Sequence, residues 1–153
     1  MAQLSIAEFA DRISQIMPLI TKEFARRQLK GLYKDKITLP QFLILEFLHK
    51  DGQSQMSFLA HFMNVTTAAM TGIAGRLVRD GYARRVYDPK DRRIIKIELT
   101  TRGNELVRKI HEERRKMVVR IFGKISEADR SDYLRILMQI KEVLSREGKE
   151  AGK

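Results

Sequence analysis

Apolar side chains recur along this chain at two different periods, and the change of period marks where helices give way to a hairpin. Ile6, Phe9, Ile13, Ile16, Ile20 and Phe24 follow one another at three- and four-residue steps, the stripe of an amphipathic helix. Pro18 falls inside that stripe. Proline lacks a backbone donor and crowds the preceding turn, so the helix is expected either to kink between Ser14 and Pro18 or to start afresh at Pro18. The basic run Arg26, Arg27, Lys30, Lys34 and Lys36 then leads into an expected loop from Gly31 to Ile37. Thr38-Leu39-Pro40-Gln41 opens a second helix: threonine caps it, proline sits in the first turn where its missing donor costs little, and glutamine completes a capping box. Phe42, Leu45 and Leu48 share one face of it, and Lys50-Asp51-Gly52 stops it.

A short third helix holding Phe58, Leu59, Phe62 and Met63 is expected to end at Asn64, a residue that tolerates the left-handed conformation. Thr66 then caps a fourth helix with Met70, Ile73, Ala74 and Leu77 turned inward and Gly81 as its stop. Two helices joined by a tight turn, the second opening in small hydroxylated residues, form a helix-turn-helix pattern. Beyond Gly81 the period shortens. Ala83 to Tyr87 and Ile94 to Leu99 are two runs rich in β-branched and aromatic residues, separated by Asp88-Pro89-Lys90-Asp91-Arg92-Arg93. They predict a β-hairpin whose stem buries Val86, Ile95, Ile97 and Leu99 and whose tip presents Lys90, Arg92 and Arg93. Thr100 or Thr101 caps a long helix carrying Leu106, Ile110, Met117, Ile121 and Phe122, and Ser126-x-x-Asp129 opens a last one with Leu134, Leu137, Met138, Val143 and Leu144. The polar end from Gly148 is expected to fray. The fold class is therefore mainly α with a small β-hairpin wing.

Composition narrows the partner. Thirty Lys plus Arg against 19 Asp plus Glu give a formal charge of +11 on 153 residues. That balance favours nucleic acid or another polyanion, and its concentration at a hairpin tip favours DNA. With no cysteine, disulfides, thiolate metal sites and cysteine nucleophiles are excluded. No stretch resembles a signal peptide or a membrane span, so a cytoplasmic protein with no membrane partner is expected. Serine-nucleophile motifs, phosphate loops and paired catalytic carboxylates are missing, which argues against an enzyme. His49, His61 and His111 lack the close spacing of a zinc site, and His111 with Glu112 makes one ligand pair at most. No metal and no cofactor are expected. Met17, Phe24, Phe42, Phe47 and Met117 are candidates for an apolar ligand pocket, although such residues more commonly form core.

The terminal helices are more apolar than a small central unit needs. Closed two-fold symmetry is the commonest arrangement of soluble homo-oligomers, so a homodimer held by the first, fifth and sixth helices is expected. The alternative is an intramolecular bundle.

The order of helices, hairpin and two long C-terminal helices, together with Leu59-Ala60, Leu77, Gly81, Asp88 to Arg93, Leu99-Thr100 and Gly103, resembles the MarR family of winged-helix transcriptional regulators. The segment from Asp88 to Gly103 carries the most specific part, an acidic-x-Arg tip followed by Leu-Thr-x-x-Gly. The resemblance covers nearly the whole chain. It implies one MarR-type domain over residues 1–153, with a DNA-binding part at about 38–100 and dimerisation helices at about 1–30 and 101–147. It further implies a homodimer that binds a pseudo-palindromic operator in double-stranded DNA as a repressor, with release by a small aromatic or anionic effector. Carried over by position, Arg93 matches the wing arginine that enters the minor groove, and Asp91 the acidic residue that orients it. Lys90 and Arg92 flank them. Thr66, Thr67, Ala68 and Thr71 match the outward face of the reading helix, and Arg76 a position of phosphate contact.

Independent physics favours these roles, because a narrow minor groove concentrates negative potential and threonine offers both a hydroxyl and a methyl to DNA. The chain departs from the family at Gly72 and Gly75, where long polar side chains are frequent. Glycine there thins direct readout and leaves three explanations: specificity from the wing or DNA shape, close backbone approach to DNA, or close packing within the protein. Two other functions remain open on sequence grounds, a winged-helix interaction or ligand-binding module and a sequence-neutral architectural DNA binder.

Overall fold

The computed structural model describes residues 4–34 and 36–150. Among the described residues, six helices and three strands follow in the order α1 (Ile6–Lys34), α2 (Leu39–Asp51), β1 (Ser54–Gln55), α3 (Met56–Phe62), α4 (Thr67–Arg79), β2 (Ala83–Tyr87), β3 (Ile95–Leu99), α5 (Thr101–Phe122) and α6 (Glu127–Glu150). The chain divides into two compact units after Glu112. Among the described residues, no helix is long and apolar enough to cross a membrane.

The first unit has a continuous core. Ile37, Phe42, Ile44, Leu45, Leu48, Leu59, Ala60, Met70, Ala74, Leu77, Ala83, Ile97, Leu106, Val107 and Ile110 are all buried and packed together. These are the inward positions of α2, α3, α4, the strands and the start of α5, so the winged unit closes on itself. Its sheet has the order β1-β3-β2 and is antiparallel throughout. β2 pairs with β3 from Ala83 opposite Leu99 to Tyr87 opposite Ile95. Ser54 and Gln55 add a third strand against Ile97 and Lys96, a pairing with no pattern of its own in the sequence.

The termini of the central helices follow from local chemistry. Thr38 Oγ1 accepts from the Gln41 amide while Gln41 Oε1 accepts from the Thr38 amide, the two halves of a capping box. Asn64, at φ 51°, ends the third helix with Val65 N–H donating to Ala60 O and Asn64 N–H to His61 O. Gly81, at φ 79°, ends the fourth in the same way through Tyr82 to Leu77 and Gly81 to Val78. Both are left-handed stops in which two otherwise unpaired carbonyls gain donors.

Several sequence expectations are corrected. α1 neither restarts at Pro18 nor ends at Gly31 but runs as one helix to Lys34. The donor missing at Pro18 falls opposite the carbonyl at position 14, on a stretch open to solvent. Glycine costs a helix roughly 1 kcal/mol without forbidding it. Asp35, within the expected loop, lies outside the described residues. Ile95 is 37% exposed rather than buried in the stem, because its register places it beside Tyr87 at the open end of the wing. α6 continues through Gly148 to Glu150, and the three residues after it lie outside the described set.

α1 and α6 carry much of the chain's exposed apolar surface. On α1, Ile6, Phe9, Ile16, Met17, Leu19 and Ile20 are exposed; on α6, so are Leu134, Leu137, Met138, Ile140, Val143 and Leu144.

Candidate nucleic-acid interface

Thr66 sits just before α4 in extended backbone, and its Oγ1 accepts from the Ala69 amide at 3.1 Å. The hydroxyl hydrogen stays available to donate. Thr71 Oγ1 donates to Thr67 O at 2.8 Å, one turn back, which leaves its lone pairs to accept. Thr66, Thr67, Ala68, Thr71 and Arg76 are all exposed, while Met70, Ala74 and Leu77 anchor the opposite face of α4. One helix thus buries its apolar stripe and offers small hydroxylated residues and one arginine to solvent.

The glycines on this helix are not explained by packing within the protein. A Cβ at Gly72 meets no atom within 4 Å, and one at Gly75 meets only Arg85 Nη2, at 3.9 Å. Neither position forbids a side chain from inside. Close packing is thereby removed from the explanations for their presence.

The wing tip is an ordered turn. Asp88 N–H donates to Ile94 O, and Ile94 N–H to Asp91 O. Asp88 Oδ1 accepts from the Lys90 amide, and Asp91 Oδ1 from the Arg93 amide, both at 2.9 Å. Each aspartate therefore folds the chain back on the residue two positions ahead, the usual behaviour of this side chain in turns. Asp91 contacts Arg93 through the Arg93 backbone amide. Lys90, Asp91, Arg92 and Arg93 are all exposed. The guanidinium groups of Arg92 and Arg93 project from a fixed turn with no protein acceptor among the described residues.

Asp88 also takes the Lys96 ammonium at 2.8 Å. The hydrogen bond from Lys96, and secondarily that from the Lys90 amide, holds its carboxyl below the ordinary aspartate value. A lowered folded value means that ionised Asp88 stabilises the wing above the ordinary value and loses that role as pH falls through the folded one. We expect Asp88→Asn to melt below wild type at pH 7, and the gap to close as pH is lowered beneath 3.8. Equal melting temperatures at neutral pH would show that the turn stands without the carboxylate.

The remaining candidates separate. His49 Nδ1 lies 2.8 Å from Asn104 Oδ1, and His111 Nε2 lies 2.9 Å from Glu46 Oε1. The two rings meet edge to face with centroids 6.0 Å apart. Both histidines thus tie α2 to α5 across a long sequence separation, a link that spacing along the chain does not disclose. Among the described residues no three His, Cys, Asp or Glu side chains are placed to hold a metal ion. Of the suggested pocket residues, Phe42 belongs to the core and Met17 is exposed on α1. Phe47 packs against Phe58 and Phe62, with ring centroids 5.6 and 4.8 Å away.

Comparison with known proteins matches this geometry. Residues 37–95, from the start of the core to the far side of the wing, match the MarR family profile. The chain is 29% identical over 142 residues to the HTH-type transcriptional repressor YetL of Bacillus subtilis, covering 93% of this chain and 80% of YetL. Two further regulators of that organism align over 65% and 64% of their own lengths. A MarR family protein from Bacillus stearothermophilus shares the fold with a TM-score of 0.82 at 20% identity, over 92% of this chain and 99% of that one. A mutant of MepR from Staphylococcus aureus, solved bound to an oligodeoxyribonucleotide, gives a TM-score of 0.69 at 22% identity, over 86% of this chain and 96% of that one. With its helix-turn-helix, its wing and its terminal helices, this chain belongs to the MarR family of DNA-binding transcriptional regulators, which are not enzymes.

Proposed function

We propose that the protein is a cytoplasmic homodimer that represses transcription by binding a pseudo-palindromic DNA site, and that a small aromatic or anionic molecule releases it. The observation that carries the DNA-binding reading is the pairing of two exposed surfaces. α4 presents Thr66, Thr67, Ala68, Thr71 and Arg76, and the ordered wing tip presents Lys90, Arg92 and Arg93 without internal acceptors. A reading helix suits the major groove, and an arginine on a narrow projection suits the minor groove. The net charge of +11 supports the same partner. Repression is supported by the description of YetL as a repressor, and DNA binding by the MepR mutant solved with an oligodeoxyribonucleotide. Release by an effector rests on family resemblance alone.

Selection of bound sequences from a random duplex pool tests specificity and symmetry together. The selected site should contain two inverted half-sites about 10 base pairs apart, centre to centre. Recovery of no preferred sequence would leave only an architectural DNA binder.

Dimerisation through α1, α5 and α6 is supported by the apolar stripes that α1 and α6 leave exposed. Leu134 and Met138 stand one turn apart on α6 and are 61% and 59% exposed. The double substitution Leu134→Glu, Met138→Glu removes two large apolar groups from such a contact and places four carboxylates across a two-fold axis. We expect it to sediment as a monomer with its helical content retained. A dimer of unchanged affinity would move the contact elsewhere.

A further inference from the structure

The two strands of the wing carry Arg84, Arg85 and Lys96, and the structure treats them differently. Arg84 pairs with Glu98 at 2.6 Å and Lys96 with Asp88 at 2.8 Å. Arg85 has no carboxylate and no hydrogen-bond acceptor among the described residues. Alternation along the strand puts Arg85 on the same face as Ala83, and cross-strand pairing puts it opposite Ile97. Ala83 and Ile97 are both buried, so this face is the one turned to the core. Arg85 nevertheless remains exposed. What lies against its guanidinium is Gly75 of α4, where a Cβ would stand 3.9 Å from Nη2. An arginine on the core-facing side of a strand thus stands exposed and without an ion pair beside the reading helix, with Gly75 of that helix next to its guanidinium.

We propose that Arg85 binds a phosphate of the DNA backbone from this position. The inference rests on the DNA-binding reading above and deepens it. When a helix occupies the major groove and a wing tip the adjacent minor groove, a sugar-phosphate ridge separates the two grooves, and a group placed between helix and wing faces that ridge rather than a base edge. A planar guanidinium with an unused fork of donors matches phosphate oxygens in two-point geometry. Arg85 is a positioning contact of this kind, carrying affinity and register without reading sequence.

The test uses the full-length protein and a duplex taken from the random-pool selection. Wild type, Arg85→Ala, Arg85→Lys and Arg93→Ala are titrated over a series of salt concentrations and over single-base variants of the site. For a dimer with two such arginines, Arg85→Ala should weaken binding on the order of a hundredfold, from roughly tenfold per contact. The loss should be equal for every duplex. The slope of log affinity against log salt should fall by about 1.8, from about 0.9 per phosphate. Arg85→Lys should keep the slope and recover part of the affinity. Thermal unfolding of Arg85→Ala should match wild type, since the guanidinium has no internal partner. Unchanged affinity in Arg85→Ala alongside weakened binding by Arg93→Ala would overturn the assignment while leaving the DNA-binding reading in place. A loss confined to one base pair would make Arg85 a base reader and also overturn it. Absence of salt-dependent binding by wild type to any duplex would remove both.

Discussion

Gly103→Ala should destabilise the protein by about 3 kcal/mol or more, a penalty in the range of backbone clashes that a packed site does not absorb. Gly103 is buried in the first turn of α5, and a Cβ built there would stand 2.0 Å from Tyr82 O and 3.3 Å from Leu99 Cδ2. The nearest obstacle is a carbonyl oxygen, not the movable end of a side chain. That carbonyl is held where it is: it accepts from the Thr100 amide at 3.1 Å. Thr100 Oγ1 also donates to Gly81 O at 2.6 Å and accepts from the Gly103 amide at 3.1 Å. Arg102 adds a stack 4.7 Å from the centre of the Tyr82 ring. Relief of the clash therefore requires the start of α5 to move from the end of α4, with loss of several of these bonds together. Scanning calorimetry at fixed protein concentration should show a fall in Tm of roughly 10 °C, using the usual conversion for a chain of this size. A change within one or two degrees would show that the approach relaxes freely and that glycine is not required.

Gly103 also illustrates what the sequence made legible and what it did not. The Leu-Thr-x-x-Gly pattern pointed to a helix start, and Thr100 does cap α5 through the Gly103 amide. The reason for glycine was out of reach, because Tyr82 O comes from a different element. The same division holds elsewhere. Thr66 and Gly81 bound α4 as local capping chemistry predicts, since caps depend on residues a few positions apart. The hairpin followed from β-branched runs on either side of a turn-forming tip, while its register, which leaves Ile95 exposed, did not. β1 did not, because two polar residues have no period and acquire strand geometry only by pairing with β3. The continuity of α1 through Pro18 reflects a 29-residue helix in which one missing bond is a local loss. The links of His49 to Asn104 and His111 to Glu46 join positions 55 and 65 residues apart, a relation absent from any local pattern. In the candidate interface, the outward residues of α4 and the tip residues were readable by position. Arg85 was passed over because its lack of a carboxylate partner and its place beside α4 depend on other elements.

The largest functional loss is expected from Arg93→Ala. Arg93 is exposed and its amide is fixed by Asp91 at 2.9 Å, so the turn determines where the guanidinium projects and the substitution leaves that turn in place. Folding should be unaffected. Arginine is favoured over lysine in a narrow minor groove because its cation is less strongly hydrated and gives up water at lower cost. Removing one such contact costs about 1 to 3 kcal/mol. A symmetric dimer carries two wings, so a single substitution in the gene removes two arginines and the loss should reach about 2 to 6 kcal/mol if the wings act independently. Titration of a selected duplex with the variant should also show a salt slope lower by about 1.8, against about 0.9 for a protein that engages DNA through one wing. The slope thus counts wings per complex, while the affinity measures what each contributes. Arg93→Lys separates charge from shape: it should restore the slope and leave much of the affinity missing. The loss should be greatest on sites with A·T-rich flanks, where the groove is narrowest, and smallest on G·C-rich ones. Identical titration curves for wild type and Arg93→Ala would remove Arg93 from the interface. Equal losses on both kinds of flank would assign it to phosphate and leave sequence selection to α4, where Gly72 and Gly75 supply no side chain to perform it.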